Sequence, residues 1–341
     1  MPRVFLIFIC IILSQILSAQ SMDTTQSRED SQMYIQRYRN YLSVKMAFNN
    51  STEYFAVLNE ANDIELKPNT KLQTKFFFSY RFINLVLGFS PAFLPGNNDD
   101  SQKGKSDIFS IDVTIDKKNW IQTLSYNRIK GFYLVNSDEY IPDWNEGESD
   151  YIQFPELFYN NFSGQTAYRF NPNFSFQAIE RQTERQVRSA GTFMPILSYR
   201  YYIFNNRIEL TGSNSSQKSN NFETNLQLGY FYTQVLNRKF YLSLGAAGGG
   251  GLVHVNLLTR LSDGRIRTKN THPILRAEGI AALGYNSERF FAGVHTIGTL
   301  EDYPQEETSV ILNEAIKIQF FVGYRFNAPK PLKRAIDKIP Y

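Results

Sequence analysis

Apolar and polar residues alternate with a period of two along most of this chain. Leu42, Val44, Met46 and Phe48 share one parity, with Ser43, Lys45 and Ala47 on the other. Phe76, Phe78 and Tyr80 likewise oppose Lys75, Phe77 and Ser79. Phe109, Ile111, Val113 and Ile115 oppose Ser110, Asp112 and Thr114. Leu226, Leu228, Tyr230 and Tyr232 oppose Asn225, Gln227 and Gly229, and Ile316, Ile318, Phe320, Val322 and Tyr324 oppose Lys317, Gln319, Gly323 and Arg325. Successive strand side chains point to opposite faces, so this spacing predicts strands with one apolar and one polar face. Helical spacing is confined to residues 27–38 and to the last dozen.

The connections carry a second signal. Short polar turns at Arg81-Phe82, Lys117-Lys118, Asn237-Arg238 and Ser287-Glu288 alternate with long polar segments at 49–69, 92–105, 134–160, 184–189, 213–221, 257–271 and 299–309. Dividing the chain at these points predicts fourteen strands: 41–48, 70–80, 83–91, 106–115, 119–133, 161–170, 173–183, 190–203, 206–212, 222–235, 239–256, 272–284, 288–298 and 310–326. The weakest are 161–170 and 206–212, and the loss of one hairpin leaves twelve. An even count puts both termini on one side. The fold expected is therefore all-β, a transmembrane up-and-down antiparallel barrel with short periplasmic turns and long outer loops. A soluble β-sandwich is the alternative, but it calls for shorter loops at both ends. Tyr80, Tyr126, Tyr168, Tyr199, Tyr201, Tyr285 and Tyr324 fall near strand ends, where amphipathic rings favour a membrane interface.

Composition agrees. The 341 residues are 15% aromatic, too rich for a disordered chain. Mean hydropathy is −0.35, which argues against several apolar helices. A formal net charge of +4 is too balanced for a dedicated nucleic-acid binder, so no nucleic-acid partner is expected. Residues 1–19 read as a secretory signal, with Arg3 before an apolar stretch from Val4 to Leu17 and Leu17-Ser18-Ala19 at the cleavage position. The single cysteine, Cys10, lies inside it, so the mature chain would hold no disulfide. The organisation expected is signal 1–19, an N-terminal periplasmic segment 20–40, a barrel 41–326 and a basic tail 327–341. That tail reads as a solvated extension, with contact to an anionic surface or to a partner as the sharper reading.

Three segments add a resemblance. Lys67-Pro68-Asn69-Thr70 leads into the strand pair ending at Phe89. Gly104-Lys105-Ser106 precedes a strand and then Tyr126-Asn127-Arg128-Ile129-Lys130-Gly131-Phe132-Tyr133-Leu134. Gln182-Thr183-Glu184-Arg185-Gln186 is followed by Ser189-Ala190-Gly191. Together they resemble the outer-membrane family of Bacteroidetes-type organisms known as domain of unknown function 4421, over residues 37–326. The resemblance implies an outer-membrane barrel and no particular activity.

The polar parity defines the candidate lumen lining: Lys45, Lys71, Lys75, Asp112, Arg169, Arg181, Arg276, Glu278, Lys317 and Arg325. Its basic excess would favour anions in an open interior; internal pairing is the competing reading. The charged run from Glu180 to Arg188 is expected at an outer rim or in its loop. Gly245 to Gly251 lacks the Lys-Ser/Thr ending of a phosphate loop and reads as strand glycines that permit bending or the packing of large rings. His254, His272 and His295 have no serine or acid motif around them, so a membrane-embedded hydrolase is the least favoured reading. Asp138, Glu139, Asp143, Glu146, Glu148 and Asp150 make one loop acidic without EF-hand spacing. No catalytic, metal or cofactor residues are assigned, and no cofactor is expected. The partners expected are outer-membrane lipid, the barrel-assembly machinery and a small solute or surface ligand. The function expected is passage or binding of a small solute, with an anion bias; a structural or surface-binding barrel without conductance is the alternative.

Overall fold

The structure is a computed structural model that describes residues 33–50, 54–57, 64–211, 215–302 and 315–338. The expected signal 1–19 with Cys10 and most of the expected 20–40 segment lie outside the described residues. From Tyr34 onward the chain forms one body. Its strands are β1 (Ile35–Arg37), β2 (Tyr41–Asn50), β3 (Phe55–Val57), β4 (Ile64–Lys67), β5 (Leu72–Tyr80), β6 (Ile83–Phe89), β7 (Asp107–Lys117), β8 (Trp120–Leu134) and β9 (Gln153–Tyr168). There follow β10 (Glu184–Gln186), β11 (Ala190–Asn206), β12 (Ser216–Val235), β13 (Phe240–Arg260), β14 (Arg265–Asn286), β15 (Phe290–Asp302) and β16 (Ala315–Asn327). Short helices α1 (Asp100–Lys103), α2 (Gln177–Glu180) and α3 (Lys330–Asp337) punctuate them.

Twelve of these strands, β2, β5–β9 and β11–β16, pair antiparallel in chain order. The first and last close the ring, with Phe48 opposite Phe320 and Val44 opposite Tyr324. Closure leaves no open edge and gives the backbone polar groups partners without water, which a membrane crossing demands. No helix among the described residues is long and apolar enough to span a bilayer; the crossing is made by strands. The hairpin β3–β4 adds to the outer end of β8, with Leu66 opposite Leu134.

The alternation predicted from sequence sorts the wall. Leu226, Leu228, Leu275, Phe320 and Phe326 are exposed on the outside, while Ser43, Lys45, Asn49, Gln227 and Arg325 are buried on the inside. Aromatic rings cluster on the outer surface at the short-turn end: Trp120 with Tyr168, Phe240 with Tyr285, and Tyr324 with Phe326, each pair with centroids 5.0 Å apart. Such rings mark one edge of a membrane belt. Tyr80, expected in this girdle, is instead buried under α3. Tyr199 accepts a hydrogen bond from Gln122 on the neighbouring wall.

Two predicted strands are corrected. Residues 173–183 form no wall strand; they carry α2 and fold inward. Residues 207–211, within the predicted 206–212, lie outside any strand. The first error arises because Phe174, Phe176 and Ala178 alternate with Ser175 and Gln177, which is also what a buried segment with a hydrogen-bonded polar side displays. Predicted strand 161–170 is real but begins earlier, at Gln153. Its alternation fails there because the inward Leu157 and Tyr159, which flank the outward Phe158, are apolar too and pack in a cluster with Ile129 and Tyr202. The predicted loop 257–271 is mostly strand, since β13 and β14 turn tightly between Arg260 and Arg265. Of the expected helix over 27–38, residues 27–32 lie outside the described residues and Ile35–Arg37 are strand; the helix expected in the last dozen residues is α3, which packs rather than standing in solvent.

The glycine run lies on β13, as the sequence suggests, and serves close packing. A Cβ on Gly251 would sit 1.8 Å from the Thr224 carbonyl oxygen of β12. Gly131, with φ +85, marks the bulge where β8 shifts register against β9. We therefore expect Gly251→Val to force β13 away from β12 and cost at least ~2 kcal/mol. It should reduce the heat-modifiable folded form on gels. Gly264→Ala, whose Cβ meets nothing within 4 Å, should leave it unchanged. Equal behaviour of the two variants would contradict this packing.

Candidate functional site: the lumen and its plug

Among the described residues, the connection from β9 to β11 is the one long link at the short-turn end. It folds back into the lumen. Phe174 and Ile179 enter an apolar cluster with Ile121, Met194, Ile196, Phe231 and Tyr241 on the inner wall. Phe176 packs edge-on to Phe231 at 5.3 Å. Burial of these side chains supplies the driving force for folding inward.

The polar groups of the segment are met by the wall. Arg325 is fully buried. Its Nε donates to the Gln182 carbonyl at 2.7 Å, and its terminal nitrogens donate to Asn286 Oδ1 at 2.6 Å and the Ser287 carbonyl at 2.5 Å. The guanidinium also lies 3.9 Å from the Tyr38 ring centroid and 4.9 Å from that of Phe291. Lys45 donates to the Glu180 carbonyl at 2.5 Å while resting over Phe77. Ser43 donates to the Gln182 carbonyl, and Asn286 to the Glu184 carbonyl. Every one of these acceptors on the plug is a backbone carbonyl, so the wall side chains replace the sheet partners that the segment lacks.

Carboxylates complete the set, and of these Asp116 was missed by the sequence reading. Asp116, fully buried, lies 3.4 Å from Arg181 and 3.6 Å from Arg169. Burial draws the Arg181 guanidinium below its ordinary range, opposed by the nearby Asp116 and Glu180 charges. Glu180 also meets His295 Nδ1 at 3.2 Å. Glu184 joins the plug to the N-terminal segment: it accepts from Arg37 Nε at 3.0 Å and from Ser175 Oγ at 2.6 Å. Around it β1 pairs with β10, with Ile35 opposite Gln186.

Further toward the outer end, the lumen holds a second charge network. Arg200 binds Glu223 at 2.6 Å and Glu301 at 3.1 Å. Arg276 binds Glu278 at 2.6 Å and Glu301 at 2.8 Å. Beyond it, Phe55 of β3 packs on the inward rings of Phe204 at 4.5 Å, Tyr159 at 4.9 Å and Phe132 at 5.7 Å.

The ten expected lining residues thus divide. Lys45, Lys75, Asp112, Arg276, Glu278, Lys317 and Arg325 lie on wall strands with inward parity. Lys75 and Asp112 face each other at 3.6 Å. Lys71 precedes β5 and is exposed in the outer loop. Arg169 follows β9, and Arg181 belongs to the plug rather than to a strand. The charged run 180–188 lies at the short-turn end, opposite to where it was expected. The basic excess is answered by Asp116, Glu180, Glu223 and Glu301. Glu223 and Glu301 left no legible signal, because a single acid on a polar parity looks like any other. His254 and His272 face opposite sides of the wall, and His254 binds Thr271. No three His, Cys, Asp or Glu side chains converge as metal ligands among the described residues.

A family model described as Domain of unknown function (DUF4421) matches residues 28–326. The chain belongs to this family. No curated protein matches the DUF4421 chain. Among solved structures, it is similar to the beta domain of the Bordetella autotransporter BrkA at 11% identity and a TM-score of 0.41, covering 84% of this chain and 100% of that one. It is similar to the outer membrane protease OmpT of Escherichia coli at 8% identity and a TM-score of 0.35, covering 85% and 96%. The closed ring with its apolar exterior and polar interior makes this DUF4421 member an outer-membrane β-barrel.

Arg325→Met removes the donors that hold the Gln182 and Ser287 carbonyls and Asn286. The buried acceptors left behind should cost about 3 kcal/mol. We expect a lower urea midpoint for the folded barrel in lipid vesicles, with new protease cleavage between residues 170 and 188. An unchanged midpoint and cleavage pattern would contradict the anchoring role.

Proposed function

We propose that this outer-membrane barrel has a sealed lumen at rest and acts as a binding or structural barrel. Passage of a small solute requires the 170–188 segment to leave. The observation that carries this reading is the burial of Arg325, whose guanidinium is wholly engaged by the plug, the Ser287 turn and two rings. An open pore lined by cations would leave such a group in water. The engaged lumen charges also weaken the basis for a strong anion preference, since Arg181, Arg200 and Arg276 face carboxylates and Lys45 and Arg325 are held by carbonyl oxygens.

The plug is tied on one side to the N-terminal strand β1, which precedes the barrel, and on the other to the wall. That arrangement favours retention of the plug over free diffusion of solutes past it. The long outer loops are then the surfaces open to an external ligand, and 135–152 is the most acidic among them.

Planar-bilayer recording tests this reading. The full chain should show no stable conductance steps at moderate voltage. Replacement of residues 174–186 by a Gly-Ser linker of equal length should give steps of uniform size. Regular steps from the unaltered chain would contradict the sealed lumen.

A further inference from the structure

The C-terminal helix α3 occupies a position that the sealed-lumen reading does not use. Leu332 and Ile336, one turn apart, pack on Leu42, Tyr80, Phe82 and Ile83. Leu42, Tyr80 and Ile83 have outward parity, because their neighbours Ser43, Ser79 and Asn84 are the buried inner residues. The helix therefore lies against the outer surface of the wall, at the short-turn end, beside the lipid. Arg81 Nη1 holds Asp337 at 2.7 Å and fixes its far end.

The remaining face is basic. Lys330 and Arg334 stand opposite Leu332 and Ile336 on a 3.6-residue wheel, Lys338 follows on the same side, and Lys333 flanks the apolar stripe. Lys330, Arg334 and Lys338 are exposed. The next short turn along the ring, between β7 and β8, continues the charge with exposed Lys118, while the exposed Arg238 and Lys239 belong to the β12–β13 turn on the far side of the barrel. Just above these turns stand the rings of Trp120, Phe240 and Phe326, exposed on the outer wall. A band of rings bounded by a band of cations is the profile of a headgroup layer.

We infer that α3, together with the Lys118 turn on the same side of the barrel, forms a binding surface for anionic phospholipid headgroups of the membrane leaflet on the short-turn side. The occupant follows from charge and position. Cations that flank the apolar wall meet lipid phosphates before any other anion. An amphipathic helix already docked by its apolar face needs no insertion to present its charges. Each basic side chain near such a surface contributes a several-fold preference.

The test uses the full chain in mild detergent, with equal amounts of phosphatidylglycerol and phosphatidylcholine, and bound lipid read by native mass spectrometry. Phosphatidylglycerol should be retained roughly tenfold over phosphatidylcholine. The triple variant Lys330→Glu, Lys333→Glu, Arg334→Glu should bring the ratio near one while keeping heat-modifiable mobility. Should that variant fail to fold, the corresponding Gln set carries the test, with the preference reduced. Soluble glycerol phosphate in excess should displace little of the bound lipid. Equal retention of the two lipids by the unaltered chain, a preserved preference in the variants, or ready displacement by glycerol phosphate would each overturn the assignment.

Discussion

Backbone hydrogen bonding in a medium without water is the constraint on which this structure depends. Each amide and carbonyl crossing the hydrocarbon layer must find a partner within the protein. Pairing of β16 with β2 closes the ring and meets that demand for the whole wall. Once the ring is closed, side-chain parity is fixed: one set faces lipid and the other faces inward. A one-residue slip would exchange the two sets, so the alternation that defines the strands also locks their register.

Closure creates an interior, and the interior poses the next problem. Twelve strands enclose more space than their inward side chains fill near the short-turn end, and the β9–β11 connection occupies it. Its apolar residues join the inner wall, while its carbonyls accept from Ser43, Lys45 and Arg325. These three lie on β2 and β16, the two strands that close the ring. The same pair of strands thus completes the barrel and holds the plug. The N-terminal strand β1 adds a third attachment through Glu184.

Much of the wall was legible in the sequence because lipid exposure imposes a strict period of two. Strands β2, β5–β8 and β11–β16 fall close to their predicted positions for that reason. The plug was not legible. Phe174, Phe176 and Ala178 lie among residues buried in protein, where nothing separates a strand pattern from a folded-in link. The ten lining residues were chosen by parity alone, which places a residue inward but gives no partner. So Lys45 and Arg325 were found, while their acceptors, the carbonyls of Glu180 and Gln182, carry no sequence signal. Arg181 was assigned to the wall because its segment was, and Asp116 escaped notice at the end of a strand. The tail showed its charges plainly, yet the docking of Leu332 and Ile336 depends on a wall that only the fold assembles.

Hydrogen–deuterium exchange on the full chain in lipid nanodiscs tests the central claim most directly. With the plug seated, amides of residues 174–187 should exchange as slowly as those of wall strands β2 and β16, and far more slowly than the outer loop 135–152. Exchange of 174–187 within seconds, at the rate of that loop, would contradict a seated plug and the sealed lumen that follows from it.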